Sequence, residues 1–258
     1  MVSLCAHLAS IRFFRVMPYR SLPPWRTKSL QALLRYSTAC FLTLGLFLNA
    51  HATDADKLLA SWLSAQTNLN TWSADLIQTR TFKTLTQPLV ARGHVWFVAP
   101  NTFRWELGQP PQTIAVRQPK QMLVIYPRLK RAERYPLDGE GAGPWRDALA
   151  LFEAGFPRSR ADLEAQFKIK LVQEVNGVCD VALEPKSSSV RRMMPDFRVL
   201  FEARDNSLRA TELRFADGST MRNDFTNAVI NGGLDGELFT PSLPADFKMV
   251  QPGKGGSK

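Results

Sequence analysis

The 258-residue chain is poor in the residues from which most catalytic and metal sites are built. It has three cysteines and three histidines, and only Cys179 and His94 lie beyond residue 52. A single cysteine cannot form an internal disulfide, and the alternating apolar pattern around Cys179 is typical of a buried small side chain. Because serine-elbow motifs and ligand-spaced clusters are also missing, the sequence predicts no catalytic residue, no metal and no cofactor.

Acidic residues are absent from residues 1–52, which carry six basic ones. Without this stretch, 27 basic and 23 acidic residues remain, so the net charge falls from +10 to +4. The high positive charge therefore belongs largely to the N-terminal stretch. It does not indicate a nucleic-acid-binding protein, and we expect no nucleic-acid partner.

Long apolar runs are missing from the same stretch. The run Cys40–Leu48 is shorter than the ~20 residues that span a bilayer as an anchor. Basic residues precede it, and the small residues Ala50 and Ala52 follow, as in a signal peptide. We predict a signal peptide over residues 1–52 with cleavage after Ala52. An uncleaved anchor is the alternative, and translation could start at Met1 or Met17.

The rest of the chain has mostly period-two apolar patterning, which indicates strands. It predicts a mainly β, α+β fold: one antiparallel sheet of about ten strands in a single domain over residues 53–252. We expect helices over Asp54–Leu69 and Trp145–Ala154, a helical turn over Asp162–Phe167, and a flexible tail over 253–258. The predicted strands are 72–82, 93–98, 102–107, 112–116, 121–126, 131–136, 168–175, 178–184, 197–203, 210–216 and 220–230, followed by an extended arm over 241–250.

Large aromatic side chains are frequent on these strands. In FVAPNTFRWE, residues 97–106, Phe103 and Trp105 share one strand face, and Arg104 and Glu106 share the opposite, solvent-facing one. Two or three short helices cannot cover so many strands, and a sheet of this length curls. A curled sheet under a thin helical cover leaves an apolar space typical of a lipid pocket, unless large side chains fill it.

Several segments resemble the LolA family of periplasmic lipoprotein carriers. They are TWSADLIQ (71–78), GHVWFVAPNTFRWE (93–106), FADGS (215–219) and LFTPSLP (238–244), and the resemblance extends over nearly all of residues 54–252. It implies an incomplete antiparallel β-barrel closed by a helical lid, with an apolar cavity for lipoprotein acyl chains. It implies neither catalysis nor a cofactor.

The resemblance also implies a location, partners and a site. We expect a monomeric periplasmic carrier, or chaperone, that takes lipoprotein or acyl-lipid cargo from an inner-membrane releasing complex to an outer-membrane acceptor. Contact with the membrane surface would be transient. The lipid-binding residues expected from the aromatic pattern and the resemblance are Leu59, Trp62, Trp72, Phe103, Trp105, Ile114, Phe197 and Phe215.

One position departs from the family pattern. Carriers of this family typically place an arginine directly before the proline of the Pro100–Asn101 turn, where it holds the lid shut, whereas this chain has Ala99. Arg104 or Arg80 could take over that role.

Three other interpretations remain open from the sequence. The cargo could be another acyl lipid or a glycolipid. The protein could instead be an envelope-stress sensor or scaffold with a filled barrel, or an enzyme that uses His94. The basic stretch Arg128–Tyr135 is either a docking face or a charged edge strand that prevents aggregation.

Overall fold

A computed structural model describes residues 54–138 and 154–252 of the chain. Helix α1 covers residues 54–67, α2 is Arg160–Gln166 and α3 is Ser188–Met193. Helix α2 begins after Ser159, whose side chain accepts a hydrogen bond from the Asp162 amide at 3.1 Å. The leader, residues 139–153 with most of the helix expected at 145–154, and the tail lie outside the described residues.

The described part of the protein contains twelve strands. Strands β1 to β6 are Thr71–Thr81, Leu89–Val98, Thr102–Leu107, Thr113–Arg117, Gln121–Tyr126 and Arg131–Pro136. Strands β7 to β12 are Phe167–Val175, Val178–Pro185, Asp196–Glu202, Leu208–Arg214, Thr220–Ile230 and Lys248–Val250. Short 3₁₀ turns lie at Pro127–Leu129 and Gly236–Phe239.

All twelve strands belong to one sheet in the order β12-β6-β5-β4-β3-β2-β1-β11-β10-β9-β8-β7. Every neighbouring pair is antiparallel except β12 and β6, which are parallel. The sheet is not closed, because β12 and β7 form its two edges in the described residues. The predicted mainly β class, with a few helices on a curled antiparallel sheet, is confirmed. Of the extended arm expected over 241–250, only β12 joins the sheet, by pairing with β6.

The sheet is strongly curved. Strands β4 and β9 are six places apart, which is about 29 Å at the ~4.8 Å spacing of neighbouring strands in a flat sheet. Nevertheless Ala115 of β4 and Phe197 of β9 line the same cavity. The curvature gives the sheet a concave face, on which α1 and the segment before α2 contribute to one hydrophobic core.

The opposite, convex face of β3 is also covered, by the C-terminal segment. Arg104 forms an ion pair with Glu106 at 2.6 Å and donates a hydrogen bond to the Leu238 carbonyl at 2.9 Å. The two charged side chains are only 15% and 17% exposed. The expectation that this face of β3 is solvated is therefore wrong, because residues 236–239 pack over it and Gln118 donates to the Phe239 carbonyl at 2.8 Å.

Residues 188–193, for which the sequence predicted neither a helix nor a strand, form α3, whose last residue Met193 is exposed while the following Met194 is buried. A further expectation is corrected by the tertiary structure. The basic stretch 128–135 is not an edge strand, because β6 pairs with β5 on one side and with β12 on the other. Its arginines at 128, 131 and 134 remain exposed.

Candidate functional site: an apolar cavity on the concave face

An apolar cavity of about 360 Å³ lies against the concave face of the sheet. Its walls come from strands β1, β3, β4, β9, β10 and β11, from Met194 after α3, and from the segment before α2. The residues that line it are Gln78, Phe103, Trp105, Ala115, Gly155, Phe156, Met194, Phe197, Leu208, Thr211, Leu213, Phe215, Met221, Asn223 and Phe225. A cavity of this size and apolar lining suits a small apolar ligand.

Aromatic rings shape one end of the cavity. The Trp105 ring meets the Phe225 ring edge to face, with centroids 6.1 Å apart and planes at 84°. Phe156, from the segment before α2, stacks on Phe97 at 4.4 Å and contacts the edge of Trp72 at 5.0 Å. Edge-to-face and stacked pairs at these distances hold the rings in defined positions. Phe156 thus connects a cavity wall to the rigid core.

Three polar side chains also line this cavity. Gln78, Asn223 and Thr211 lie directly opposite one another on β1, β11 and β10. The Gln78 amide donates to the Asn223 side-chain oxygen at 3.0 Å, and the Asn223 amide donates to the Thr211 hydroxyl at 3.1 Å. All three residues are buried. We call them the polar row.

The eight predicted lipid-binding residues divide into three groups. Phe103, Trp105, Phe197 and Phe215 line the cavity. Leu59, Trp62 and Trp72 belong to the packed core and do not line it. Ile114 lies on the other face of β4, in register with Glu106, because its neighbour Ala115 occupies the cavity side.

The sequence also contained signals for residues that the prediction left out. Gln78 continues the inward-facing series of Ala74 and Leu76, and Asn223 stands between Met221 and Phe225 on β11. A polar residue in phase with an apolar strand face is such a signal. Thr211, which shares a face of β10 with Leu213, carries the same signal. Phe156 gave none, because its placement depends on how distant segments pack.

The two arginines considered as a latch in place of the arginine missing at Ala99 both have other contacts in the described residues. Arg104 is held on the convex face by Glu106 and the Leu238 carbonyl. The Arg80 guanidinium lies 5.1 Å from the centre of the Phe82 ring. A different arginine, Arg158, makes a long 3.5 Å hydrogen bond to the Leu69 carbonyl and so links the segment before α2 to the loop after α1.

His94 lies on the convex face of the sheet, away from the cavity. Its Nδ1 is 2.9 Å from an Asp75 carboxylate oxygen, and the other Asp75 oxygen accepts a hydrogen bond from Asn227 at 2.8 Å. The hydrogen bonds from Asn227 and His94 lower the pKa of Asp75 below its ordinary value. Across residues 54–138 and 154–252, no group of three or more histidine, cysteine or acidic side chains could hold a metal ion.

Cys179 is fully buried on β8. Burial, with a smaller effect of Glu174 and Glu202, raises the pKa of its thiol to about 11. The thiol is therefore protonated at neutral pH, which agrees with the predicted role as a small core side chain. In the same described part of the chain, no helix has the length and apolar character needed to cross a membrane.

An open, curved antiparallel sheet around an apolar cavity defines a class of β proteins whose interior can hold a ligand. The family described as "Outer membrane lipoprotein carrier protein LolA" matches residues 67–242, which is more than half of the chain. The chain belongs to the LolA family, as its sequence motifs indicated.

Individual relatives are distant in sequence. A protein of Chromohalobacter salexigens named outer-membrane lipoprotein carrier protein is 24% identical over 220 residues, covering 85% of this chain and 98% of that protein. An uncharacterized conserved protein from Thermus thermophilus has a TM-score of 0.45 at 10% identity, covering 77% of this chain and 99% of its own. A LolA superfamily protein from Nitrosomonas europaea has a TM-score of 0.39 at 10% identity, covering 72% and 97%.

Proposed function

We propose that this protein is a periplasmic carrier that binds the acyl chains of lipoproteins in its concave cavity and moves them from the inner to the outer membrane. The observation that supports this most directly is the cavity of about 360 Å³, walled mainly by apolar side chains, in a member of the LolA family. The name of the Chromohalobacter salexigens relative points to the same cargo.

The size of the cavity suits about one acyl chain. A methylene group is close in size to a water molecule, which occupies ~30 Å³ in the liquid, so the volume corresponds to about a dozen methylenes. Their burial is worth about 10 kcal/mol, from which association takes ~4 kcal/mol or more. At most ~6 kcal/mol remains, which corresponds to a dissociation constant of tens of micromolar or weaker. Binding of this strength is reversible, as transfer to an acceptor requires.

The rest of the assignment follows from the leader and the family. Residues 1–52 would direct export and be removed after Ala52, and residues 53–252 would form the single lipid-binding domain of a monomeric carrier. Cargo would be received from an inner-membrane releasing complex and handed to an outer-membrane acceptor. Brief contact with anionic membranes during either step would involve exposed arginines of the basic stretch 128–135, of which Arg131 and Arg134 lie on opposite faces of β6.

Mass spectrometry of protein purified from the periplasm tests the proposal. Native spectra, followed by spectra of an organic extract, would show bound lipoprotein or acyl lipid in near-stoichiometric amount. A bound lipoprotein would identify the cargo as proposed, whereas a bound glycolipid would make the protein a carrier of glycolipids. A clean unliganded mass, together with no uptake of a fluorescent acyl probe, would contradict the carrier and favour a filled-barrel interaction protein.

Transport itself needs a second experiment. Wild-type protein is added to inner-membrane vesicles that carry a labelled lipoprotein, and label is then counted in the soluble fraction and in separately added outer-membrane vesicles. A carrier releases label into solution and passes it on, in proportion to the protein added. Binding of the labelled lipoprotein without its transfer would support ligand binding but contradict the transport role.

A further inference from the structure

The polar row is an unusual component of an apolar cavity. A buried polar group that lacks a hydrogen-bond partner is destabilising, so such groups are rare on the walls of a lipid pocket. Gln78, Asn223 and Thr211 nevertheless lie side by side on three neighbouring strands, and each lines the cavity. The neighbours at the two ends of the row, Ala91 on β2 and Val199 on β9, are apolar.

The row does not use all of its hydrogen-bonding capacity internally. Its two internal bonds involve one N–H of Gln78, the Asn223 amide and the Thr211 oxygen. Among the described residues, no other hydrogen bond involves these three side chains. The second N–H of Gln78, the second N–H of Asn223, the Gln78 side-chain oxygen and the Thr211 hydroxyl hydrogen are therefore available to a ligand.

This capacity does not depend on how the amides are oriented. If both amide groups are turned over, Gln78 accepts from Asn223, and Asn223 accepts from Thr211. Both N–H groups of Gln78 are then available. In either arrangement, Gln78 presents at least one N–H donor at the cavity wall, where apolar surface surrounds it. A ligand that places an acceptor oxygen there gains a hydrogen bond in a nonpolar environment, where such bonds are strong.

We propose that the polar row binds an ester carbonyl of the cargo's acyl anchor, so that the cavity selects ester-linked acyl chains over plain alkyl chains. This deepens the proposed function and rests on it. An ester carbonyl accepts hydrogen bonds without donating any, and it joins an acyl chain to a glycerol backbone. With the carbonyl at the row, the chain lies against Phe103, Trp105 and Phe225. The row then fixes the depth of insertion, which apolar contact alone leaves undefined.

A matched pair of ligands tests this inference. The protein is loaded with a fluorescent acyl probe, which is then displaced by 1,2-dioctanoyl-glycerol or by its diether analogue 1,2-dioctyl-glycerol. The two ligands share the glycerol headgroup and eight-carbon chains, but only the ester has carbonyls. A wholly apolar cavity favours the ether, because carbonyls lose their hydration on entry. The polar row reverses this order, and we expect the ester to bind about tenfold more tightly.

Two variants assign the preference to the row. Gln78→Met keeps the side-chain length and removes the donor, so the ester should lose its advantage to within about twofold of the ether. Thr211→Val is nearly isosteric and should also reduce the preference for the ester. If Gln78→Met fails to fold, the ester-to-ether ratio of Thr211→Val tests the role of the row. Gln173→Met is the matched control, because Gln173 also bonds across strands, to Asp180, but does not line the cavity.

The outcomes separate the two proposals. Equal binding of ester and ether by the wild type, or an ester preference that persists in both row variants, overturns the role of the row and leaves the carrier intact. Displacement by neither ligand contradicts lipid binding in the cavity itself. A diacylated lipopeptide and a phosphatidylglycerol of equal chain length, each compared with its dialkyl form, then show which source of ester the cavity prefers.

Discussion

Trp62 of α1 stacks on Phe201 of β9, with ring centroids 5.0 Å apart and planes only 6° from parallel. Both side chains are fully buried. The stack joins the helix to the sheet, and neither ring reaches the cavity. This contact separates two roles that aromatic residues play in the chain, since some hold the fold together and others line the ligand space.

Replacement of Trp62 should affect stability and spare ligand binding. We expect Trp62→Ala to lower the free energy of unfolding by about 3–5 kcal/mol, the usual loss for a large buried ring. Trp62→Phe retains part of the stack and should remain folded. Urea unfolding and titration with a fluorescent acyl probe measure the two effects. A clear loss of probe affinity in folded Trp62→Phe would instead place Trp62 in the ligand site.

Trp105 should show the opposite behaviour. It lines the cavity, so Trp105→Glu introduces a charge where an acyl chain would lie and should lower acyl-probe affinity at least tenfold while the protein stays folded. Trp96→Glu is the matched control, because Trp96 is on the neighbouring strand but faces the convex side beside His94. Equal probe affinity in the two folded variants would argue against binding in this cavity.

Arg104, which is ion-paired with Glu106, is expected to hold the C-terminal segment on the convex face through its hydrogen bond to the Leu238 carbonyl. Arg104→Gln leaves the Glu106 charge largely buried without its partner and should lower the free energy of unfolding by about 2 kcal/mol. Arg160→Gln removes a more exposed ion pair with Glu164 and should change the free energy of unfolding by less than ~1 kcal/mol. Urea unfolding of both variants makes the comparison. A similar loss of unfolding free energy in the two variants would show that packing of the C-terminal segment does not depend on Arg104.

Gly93 is required by the close approach of β2 and β3. A Cβ atom built on it would lie 1.8 Å from the Glu106 carbonyl oxygen, which is backbone and cannot move aside alone. Gly93→Ala should therefore displace the strand pair and lower stability by about 1–3 kcal/mol. Gly233 has open space around it, so Gly233→Ala should be nearly neutral. Thermal unfolding distinguishes them, and a neutral Gly93→Ala would contradict the tight pairing.

The Cys179 thiol predicts a pH dependence of stability at alkaline pH. Burial raises the pKa of the thiol from 9.0 to about 11, so the folded state favours the protonated form. Its contribution to stability is complete below pH 9 and decreases as the pH rises through 11. The measurement is the difference in unfolding free energy between wild type and Cys179→Ala, which should be flat to pH 9 and fall above it. A constant difference would show that the thiol titrates normally in the fold.

Much of the fold could be predicted from local pattern. Period-two alternation located β3, β5, β6 and β11 at their observed bounds, because which face a strand side chain takes depends only on its position along the strand. The same alternation placed Phe103 and Trp105 together on one face of β3. The segments at 71–78, 93–106, 215–219 and 238–244 together indicated the family before any contact was known, and the family match over residues 67–242 confirms it.

Other features required contacts between residues far apart in sequence. Alternation assigns residues to two faces but does not say what covers each face, so Arg104 and Glu106 were expected in solvent although residues 236–239 pack over them. The same limit placed Ile114 in the site, on the wrong side of β4. Trp62 and Trp72 carry the aromatic signal of a lipid pocket but pack in the core.

The sequence by itself determined most of the strands, which side chains share a face within a strand, the scarcity of catalytic groups and the family, because these depend on local spacing and residue type. Only the tertiary structure decided that the sheet curves far enough for β4 and β9 to share a cavity, and that Gln78, Asn223 and Thr211 meet in one row inside it. Curvature and register depend on packing between residues distant in sequence, such as Gln78 and Asn223, which are 145 positions apart, and no local pattern records them.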